Sequence, residues 1–148
     1  MTINESKTKQ TIRRLYEEVL NEGRLELLDE IAVPDHVEHN PFPSQSQGVE
    51  GLKQRAGMVR AAFNPRFTLE HVIEEGDKVA VMWSNQGAHV GEWFGFAPTG
   101  KQVAAHGVDV FRLRGGRLAE HWDVVDVSDF YAKVGLLPAP PAPAQSAR

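Results

Sequence analysis

The apolar residues of the chain change their spacing at Asn64-Pro65, and this change constrains the fold more than any other feature. Before it, apolar side chains recur every three to four residues, which is the spacing of one face of a helix. After it, they alternate with polar side chains, as they do in a strand. The sequence therefore predicts helices first and an antiparallel sheet afterwards, an α+β arrangement with the helices packed on one face of the sheet.

Prolines and glycines set the ends of the predicted elements. The second helix must end near Val33, because Pro34 disfavours helical backbone in the residue before it. The residues after it, 35–43, are predicted to be extended or looped. Glycines at positions 115 and 116 suit a tight hairpin between the last two strands. The helices are predicted at about residues 12–22, 25–32 and 49–63, and the strands at 67–73, 79–90, 103–113 and 117–127.

Alternation along the last two strands groups their acidic residues on one face. Side chains of a strand point to opposite faces in turn, so Asp109 lies among small and apolar residues of its strand. By the same rule His121 and Asp123 share one face of the next strand. A carboxylate on an apolar face loses its hydration, so its pKa is expected to rise. Such a carboxylate suits proton transfer near neutral pH, although pairing with an arginine, a histidine or backbone donors explains the pattern equally well.

The opposite face of the same two strands is also rich in apolar residues. The helices can cover only one face of the sheet, so the second face needs another cover. The simplest cover is a second copy of the chain, and the sequence therefore predicts a homodimer. The residues that would form this contact are Val108, Val110, Trp122 and Val124.

Composition excludes several classes of protein. The chain has no cysteine, which removes disulfides, thiolate metal sites and cysteine nucleophiles. Its 16 basic and 20 acidic residues give a net charge of -4, which argues against a nucleic-acid binder. His36 and His39 lack the spacing of a zinc site, so no metal is expected. No apolar leader or membrane span is visible, which favours a soluble cytoplasmic protein. Residues 138–148, rich in Pro and Ala, are predicted to be a disordered tail after a domain of residues 1–137.

Three blocks of sequence together resemble the SnoaL-like polyketide cyclases of the nuclear-transport-factor-2-like superfamily. The first is the opening helix, RRLYEEVLNEG at 13–23. The second is GAHVG at 87–91 followed by GFAPTG at 95–100, and the third is VDVFR at 108–112 followed by GRLAEHWD at 116–123. The resemblance covers about residues 7–137. It implies a cone-shaped barrel with an apolar pocket between a curved sheet and the helices.

The resemblance also implies a chemistry. In the cyclases, the aspartate of a His-x-Asp motif in the last strand is the proposed acid/base for an intramolecular aldol closure, without metal or organic cofactor. That aspartate matches Asp123, and the histidine matches His121. The founding cyclases carry a histidine where this chain has Asp109. In the related ketosteroid isomerases, two oxyanion donors match Tyr16 and Asp109, but the base matches Asn40, which cannot take a proton.

The favoured reading is a cofactor-free enzyme that moves a proton next to the carbonyl group of a hydrophobic small molecule. In it, Asp123 is the general acid/base, and His121 orients it. Asp109 and Tyr16 polarise the carbonyl oxygen, and the sequence leaves the protonation state of Asp109 open. A core role for Tyr16 is the alternative. A binding module without chemistry, or a protein-interaction module, stays open. The other candidate pocket residues are Asn40, Phe42, Trp83, His89, Trp93, Phe96 and His106.

Overall fold

The computed structural model describes residues 5–138 and 141, so the predicted tail lies almost entirely outside the described residues. Helix α1 (Lys7–Arg14) begins after Ser6, whose hydroxyl accepts a hydrogen bond from the backbone N–H of Lys9. Such a side-chain cap satisfies one of the free N–H groups at a helix start. The helix continues directly into a wider π-helical stretch, Leu15–Asn21. The predicted first helix is thus present, and its second half is wound more loosely than its spacing indicates.

The second helix is shorter than predicted and is followed by a strand. A 3-10 turn (Leu25–Leu27) leads into α2 (Leu28–Ile31), and strand β1 (Ala32–Glu38) starts at once. The prediction of a helix was therefore wrong at residue 32, whereas residues 35–38 take the extended backbone that was one of the two alternatives predicted for residues 35–43. Pro34 suits this strand, because β1 lies at the edge of the sheet, where a missing backbone N–H costs little.

The remaining elements follow the predicted order. Helix α3 (Gly48–Phe63) confirms the third predicted helix and ends at Asn64, which takes a left-handed backbone conformation. The short helix α4 that follows the last strand was not predicted. The bounds are β2 (Arg66–Glu75), β3 (Lys78–Ala88), β4 (Gln102–Arg114), β5 (Arg117–Asp126) and α4 (Ser128–Lys133).

The five strands form one sheet in the order β1-β5-β4-β3-β2. Neighbours from β2 to β5 are antiparallel, as predicted, whereas β1 is parallel to β5, a pairing that the sequence analysis did not contain. The register sets Asp109 directly opposite Asp123 and sets Glu38 directly opposite His121. Four ionisable residues from three adjacent strands are thereby gathered on one part of the sheet.

The two faces of the sheet differ as the alternation predicted. The inner face carries buried Val81, Phe111 and Leu118 and packs against buried residues of the N-terminal helices, such as Ile12 and Leu28. On the outer face Ile73, Met82, Val108 and Val124 are exposed, whereas Val110 and Trp122 are half-buried. The architecture is thus a mixed α+β fold with helices on one face of a five-stranded sheet. Within the described residues, no helix is both long and apolar enough to cross a membrane.

Candidate active site

A cavity of about 210 Å³ lies between the helices and the inner face of the sheet. Its wall is mostly aliphatic and aromatic, and a few polar groups interrupt it. This composition, an apolar hollow with a small number of placed polar groups, is typical of a small-molecule site. The polar side chains that line it are Tyr16, Arg55, Asn85, Asp109, His121 and Asp123.

Four buried side chains form a chain of hydrogen bonds at one end of the cavity. The hydroxyl of Tyr16 donates to Oδ2 of Asp109, and Oδ1 of Asp109 lies 2.9 Å from Nε2 of His121. On its other side, Nδ1 of His121 lies 2.7 Å from Oε2 of Glu38. Oε1 of Glu38 accepts the backbone N–H of Asn40 at 2.9 Å. The imidazole therefore bridges two carboxylates, and we call these four residues the Tyr16–Glu38 network.

The network holds its charges in a defined state. Burial by itself lowers the pKa of His121, but the hydrogen bonds to Asp109 and Glu38 outweigh it and raise the pKa to about 9. Burial raises the pKa of Glu38, yet the hydrogen bond to His121 and its charge leave the net pKa below the usual value. Burial and the charge of Asp109 raise the pKa of Tyr16 well above its usual value. At neutral pH the network therefore contains a cationic imidazole, an ionised Glu38 and a neutral phenol.

Asp123 has a separate set of partners. Its Oδ2 lies 2.5 Å from Nη2 of Arg55, and its backbone N–H donates to Oδ1 of Asn40 at 3.0 Å. Nη1 of Arg55 also donates to the backbone carbonyl of Asn40 at 2.9 Å, and its guanidinium lies 4.0 Å from the ring centre of Phe42. Burial raises the pKa of the Asp123 carboxyl, and the charge of Arg55 opposes this rise. Asp123 is thus a half-buried carboxylate beside a fixed cation.

Two expectations about these residues need correction. His121 does not orient Asp123 through a hydrogen bond, because both of its ring nitrogens are already bonded to Glu38 and Asp109. Asp109 is already hydrogen-bonded to both Tyr16 and His121, so each of its two oxygens has a protein partner and it can donate to a substrate oxygen only by leaving one of them. The acids do share the inner face, as the alternation predicted.

The structure brings only part of the predicted pocket set to the cavity. Phe42, Trp83 and Trp93 line it, and the rings of Phe42 and Trp93 meet edge to face at 5.4 Å. Asn40 lies next to it through its bond to Asp123. Three further candidates, His89, Phe96 and His106, are not among the lining residues.

Those three residues have other surroundings. His89 is fully buried, and its ring lies near Phe63 and Phe130. Phe96 also packs against Phe130. His106 lies on the outer face of β4, because it has the opposite parity to Asp109, and it is 3.4 Å from Asp126. Grouping His106 with the pocket was therefore wrong.

Sequence reasoning missed Glu38 and Arg55. Arg55 stands within the apolar stripe of α3, three residues after Leu52 and next to Ala56, and a charge in that position was the available signal. Glu38 and His36 stand two residues apart in β1, and both are buried on the same face of the strand. This pattern is informative only once the segment is known to be a strand. A proline-containing edge strand is difficult to distinguish from a loop by its sequence.

Asp109, His121 and Asp123 also lie close enough together to hold a metal ion. One ligand atom from each of Asp109, His121 and Asp123 lies within 4.8 Å of the others. Both nitrogens of His121 already have carboxylate partners, and Asp123 is paired with Arg55. A cation would have to displace these protein partners. His36 and His39 do not belong to this group of possible ligands. His36 is buried in β1, and His39 stacks on Trp122.

Two methyl ester cyclases of Streptomyces are similar in sequence to most of this chain. Nogalonic acid methyl ester cyclase of Streptomyces nogalater is 32% identical over 120 residues, which cover 78% of this chain and 88% of the relative. An aklanonic acid methyl ester cyclase of Streptomyces sp. (strain C5) is 26% identical over 147 residues, covering 89% of each chain.

Solved structures agree in fold. TsrD of Streptomyces laurentii superposes with a TM-score of 0.81 at 24% identity, covering 92% of this chain and all of that one. A structure from Acidithiobacillus ferrooxidans superposes with a TM-score of 0.77 at 30% identity, covering 90% and 97%. The family model described as SnoaL-like polyketide cyclase matches residues 10–134. The chain therefore belongs to the SnoaL-like polyketide cyclase family.

Proposed function

We propose that this protein catalyses a cofactor-free intramolecular aldol closure of a polyketide-derived methyl ester, with Asp123 as the general base. One observation carries the proposal: Asp123 lines an apolar cavity, where burial raises the pKa of its carboxyl while Arg55 keeps a positive charge beside it. A carboxylate in these surroundings is a stronger base than one in water. The names of the two curated relatives indicate the substrate class.

The reaction needs one proton to leave and to return. The Asp123 carboxylate takes a proton from the carbon next to a carbonyl group, and an enolate forms. The enolate carbon attacks a second carbonyl carbon of the same molecule, so that one carbon–carbon bond forms and an alkoxide results. Protonated Asp123 then gives the proton to the alkoxide, which restores the carboxylate. No electron acceptor and no second reactant are required.

The neighbouring residues stabilise the charge that develops. The cationic imidazole of His121 and the guanidinium of Arg55 both line the cavity, so they lower the energy of an enolate or alkoxide beside them. Glu38 and Asp109 keep the imidazole charged and fixed in position through its two nitrogens. Tyr16 fixes Asp109 from the helical side and can donate to a substrate oxygen only by leaving that bond.

The test compares two aspartates of β5 that differ in the face they occupy. Wild type, Asp123→Asn and Asp126→Asn are assayed with nogalonic and aklanonic acid methyl esters, and with exchange of the substrate's acidic proton in D₂O. Asp123→Asn should lose about 10²- to 10⁴-fold in turnover and in exchange. Asp126→Asn should keep both, because Asp126 lies on the exposed outer face.

Two outcomes contradict the proposal. If Asp123→Asn turns over the substrate at the wild-type rate, Asp123 is not the general base. No turnover of either ester by the wild-type protein, together with no proton exchange, favours a binding module. In that case Asp109 and Asp123 have a structural role.

We further propose that the protein forms the homodimer expected from the sequence. Exposed Val124 and Val108, with Met82 and Ile73 beside them, form an apolar area on the outer face that suits a self-association surface. Trp122 contributes less free surface than expected, because His39 stacks on it. Analytical ultracentrifugation of wild type and Val124→Lys at micromolar concentration tests this: a monomeric wild type contradicts it.

We also propose the cytoplasmic location that the sequence analysis expected.

A further inference from the structure

The loop that joins β1 to α3, residues 39–47, wraps around the side chain of Arg55. The backbone carbonyl of Asn40 and Oε1 of Gln45 accept hydrogen bonds from Nη1 of Arg55, at 2.9 and 3.4 Å. The ring of Phe42 covers one face of the same guanidinium, with Cζ of Arg55 4.0 Å from the ring centre. With these contacts the side chain of Arg55 is only 16% exposed.

The ring and the hydrogen bonds restrain the guanidinium in different directions. A planar guanidinium donates along its edge, so the bonds to the loop and the bond from Nη2 to Asp123 restrain it mainly within its plane. The ring of Phe42 restrains it across the plane and keeps water from that face. A contact of this kind contributes more when the cation is withdrawn from water than when it is exposed.

Phe42 is itself held by an aromatic side chain from a distant part of the chain. Trp93, in the connection between β3 and β4, meets the ring of Phe42 edge to face at 5.4 Å. The other neighbour of Trp93 is Phe63, at 5.0 Å, which is the last residue of α3. Since α3 also carries Arg55, the contacts run from this helix through Trp93 and Phe42 and return to the same helix.

We propose that Phe42 is a positioning residue of this site: its ring, supported by Trp93, keeps the guanidinium of Arg55 against the carboxylate of Asp123. Without the ring, one face of the cation is open to water, and a long side chain regains rotamer freedom that packing had removed. Arg55 then spends part of its time away from Asp123, which loses its fixed counter-charge. Only the consequence for turnover rests on the proposed function.

The test observes Arg55 directly by NMR of protein labelled with ¹⁵N-arginine. A guanidinium held in one orientation gives separate signals for its Hη protons at low temperature, whereas one that rotates freely gives a single averaged signal. Wild type should show separate Hη signals for Arg55, which are assigned by their loss in Arg55→Lys. They should merge in Phe42→Leu, which removes the ring, and stay separate in Phe42→Tyr, which keeps it.

Two variants of the β3–β4 connection provide the second arm and the control. Trp93→Leu changes neither Phe42 nor Arg55, but it should broaden the Hη signals because Phe42 loses its support. Phe96→Leu makes the same kind of change in the same connection and should leave the signals as in wild type, since Phe96 packs against Phe130. The amide spectrum of each sample shows whether the fold is intact.

Turnover of the two methyl esters gives the catalytic consequence. The kcat of Phe42→Leu should be roughly tenfold below that of Phe42→Tyr, which is the size of one cation–π contact with a desolvated cation. Equal kcat values in these two variants would overturn the role in catalysis. If wild type turns over neither ester, the proposed function fails and the Hη signals alone decide the positioning role.

The NMR result overturns the proposal in three cases. The first is that folded Phe42→Leu keeps the separate Hη signals of wild type, which would mean that the hydrogen bonds alone hold Arg55. The second is that Phe96→Leu merges the signals as Phe42→Leu does, and the third is that wild type already shows an averaged signal. Unchanged signals in Trp93→Leu would overturn the support assigned to Trp93.

Discussion

Two carboxylate–arginine pairs on opposite faces of β5 show that burial decides the direction in which the pKa of the paired carboxyl group shifts. On the inner face Asp123 meets Arg55, and the pKa of Asp123 rises because burial outweighs the charge of the arginine. On the outer face Glu120 meets Arg112, and the pKa of Glu120 falls because its hydrogen bonds to Arg112 and His39 meet little opposition from burial. The same pairing therefore leaves a carboxyl group with a raised pKa on the inner face and one with a lowered pKa on the outer face.

The largest expected effect comes from removing the inner cation. Arg55→Met leaves the carboxylates of Asp123 and Glu38 buried without their positive neighbour, which lies 2.5 and 3.9 Å from them. Loss of one partner of a buried pair typically costs about 3–5 kcal/mol. Urea denaturation at pH 7 should show this loss, and Arg55→Lys should recover part of it. A loss below about 1 kcal/mol would show that the inner pair behaves like a surface pair.

The next effect is a dependence of stability on pH that originates in the Tyr16–Glu38 network. The folded pKa of His121 is about 9, above its ordinary value of 6.5. Its contribution is complete below pH 6.5 and is lost as the pH rises through 9. A shift of this size corresponds to a free energy of unfolding on the order of 3 kcal/mol.

Denaturation curves at pH 6, 8 and 10 measure this effect. The loss of stability between pH 6 and 10 should be much smaller in His121→Asn than in wild type, because the titrating imidazole is gone. In Glu38→Gln, NMR titration should show the pKa of His121 below about 9, since one carboxylate partner has lost its charge. Equal pH dependence in wild type and His121→Asn would contradict the assignment.

Tyr16→Phe tests the other end of the network and should have a moderate effect. The substitution removes the donor to Asp109 and keeps the ring in the core. A hydrogen bond to a charged group contributes about 1.5–3 kcal/mol. Thermal or urea denaturation checks the value, with Tyr131→Phe as the matched control because Tyr131 is exposed. Equal stability of the two variants would mean that the hydroxyl of Tyr16 contributes nothing to folding.

The smallest effect is expected on the outer face. Arg112→Met removes the partner of Glu120, but both side chains are partly exposed to solvent. Pairs of this kind contribute little to stability, and salt screens them. A double-mutant cycle with Glu120→Gln, measured at low and high salt, gives the coupling directly. A coupling as large as the cost of Arg55→Met would remove the distinction between the two faces.

The sequence analysis predicted the antiparallel strands in the second half of the chain better than the elements in the first half. Alternation placed Asp109, His121 and Asp123 on the inner face, because β4 and β5 pair in unbroken register over the stretch that holds them, from His106 opposite Asp126 to Arg112 opposite Glu120. It could not predict β1, whose seven residues contain a proline and pair with a strand about 85 positions later in the chain. The partners of the acids were missed for the same reason: Glu38 and Arg55 reach the site through long-range packing, which local spacing does not report.

The parallel pairing of β1 with β5 limits how this protein can change. Glu38 reaches His121 only because their backbones stand side by side in β1 and β5. Inserting one residue within β1 before Val37 would move Val37 into the place opposite His121 and carry Glu38 to the other face of the sheet. The loop at residues 39–47 is tied to the same site, because Asn40 bonds to Asp123 and Gln47 bonds to the backbone of Glu38. Variation in length among relatives should therefore avoid both the strand and this loop.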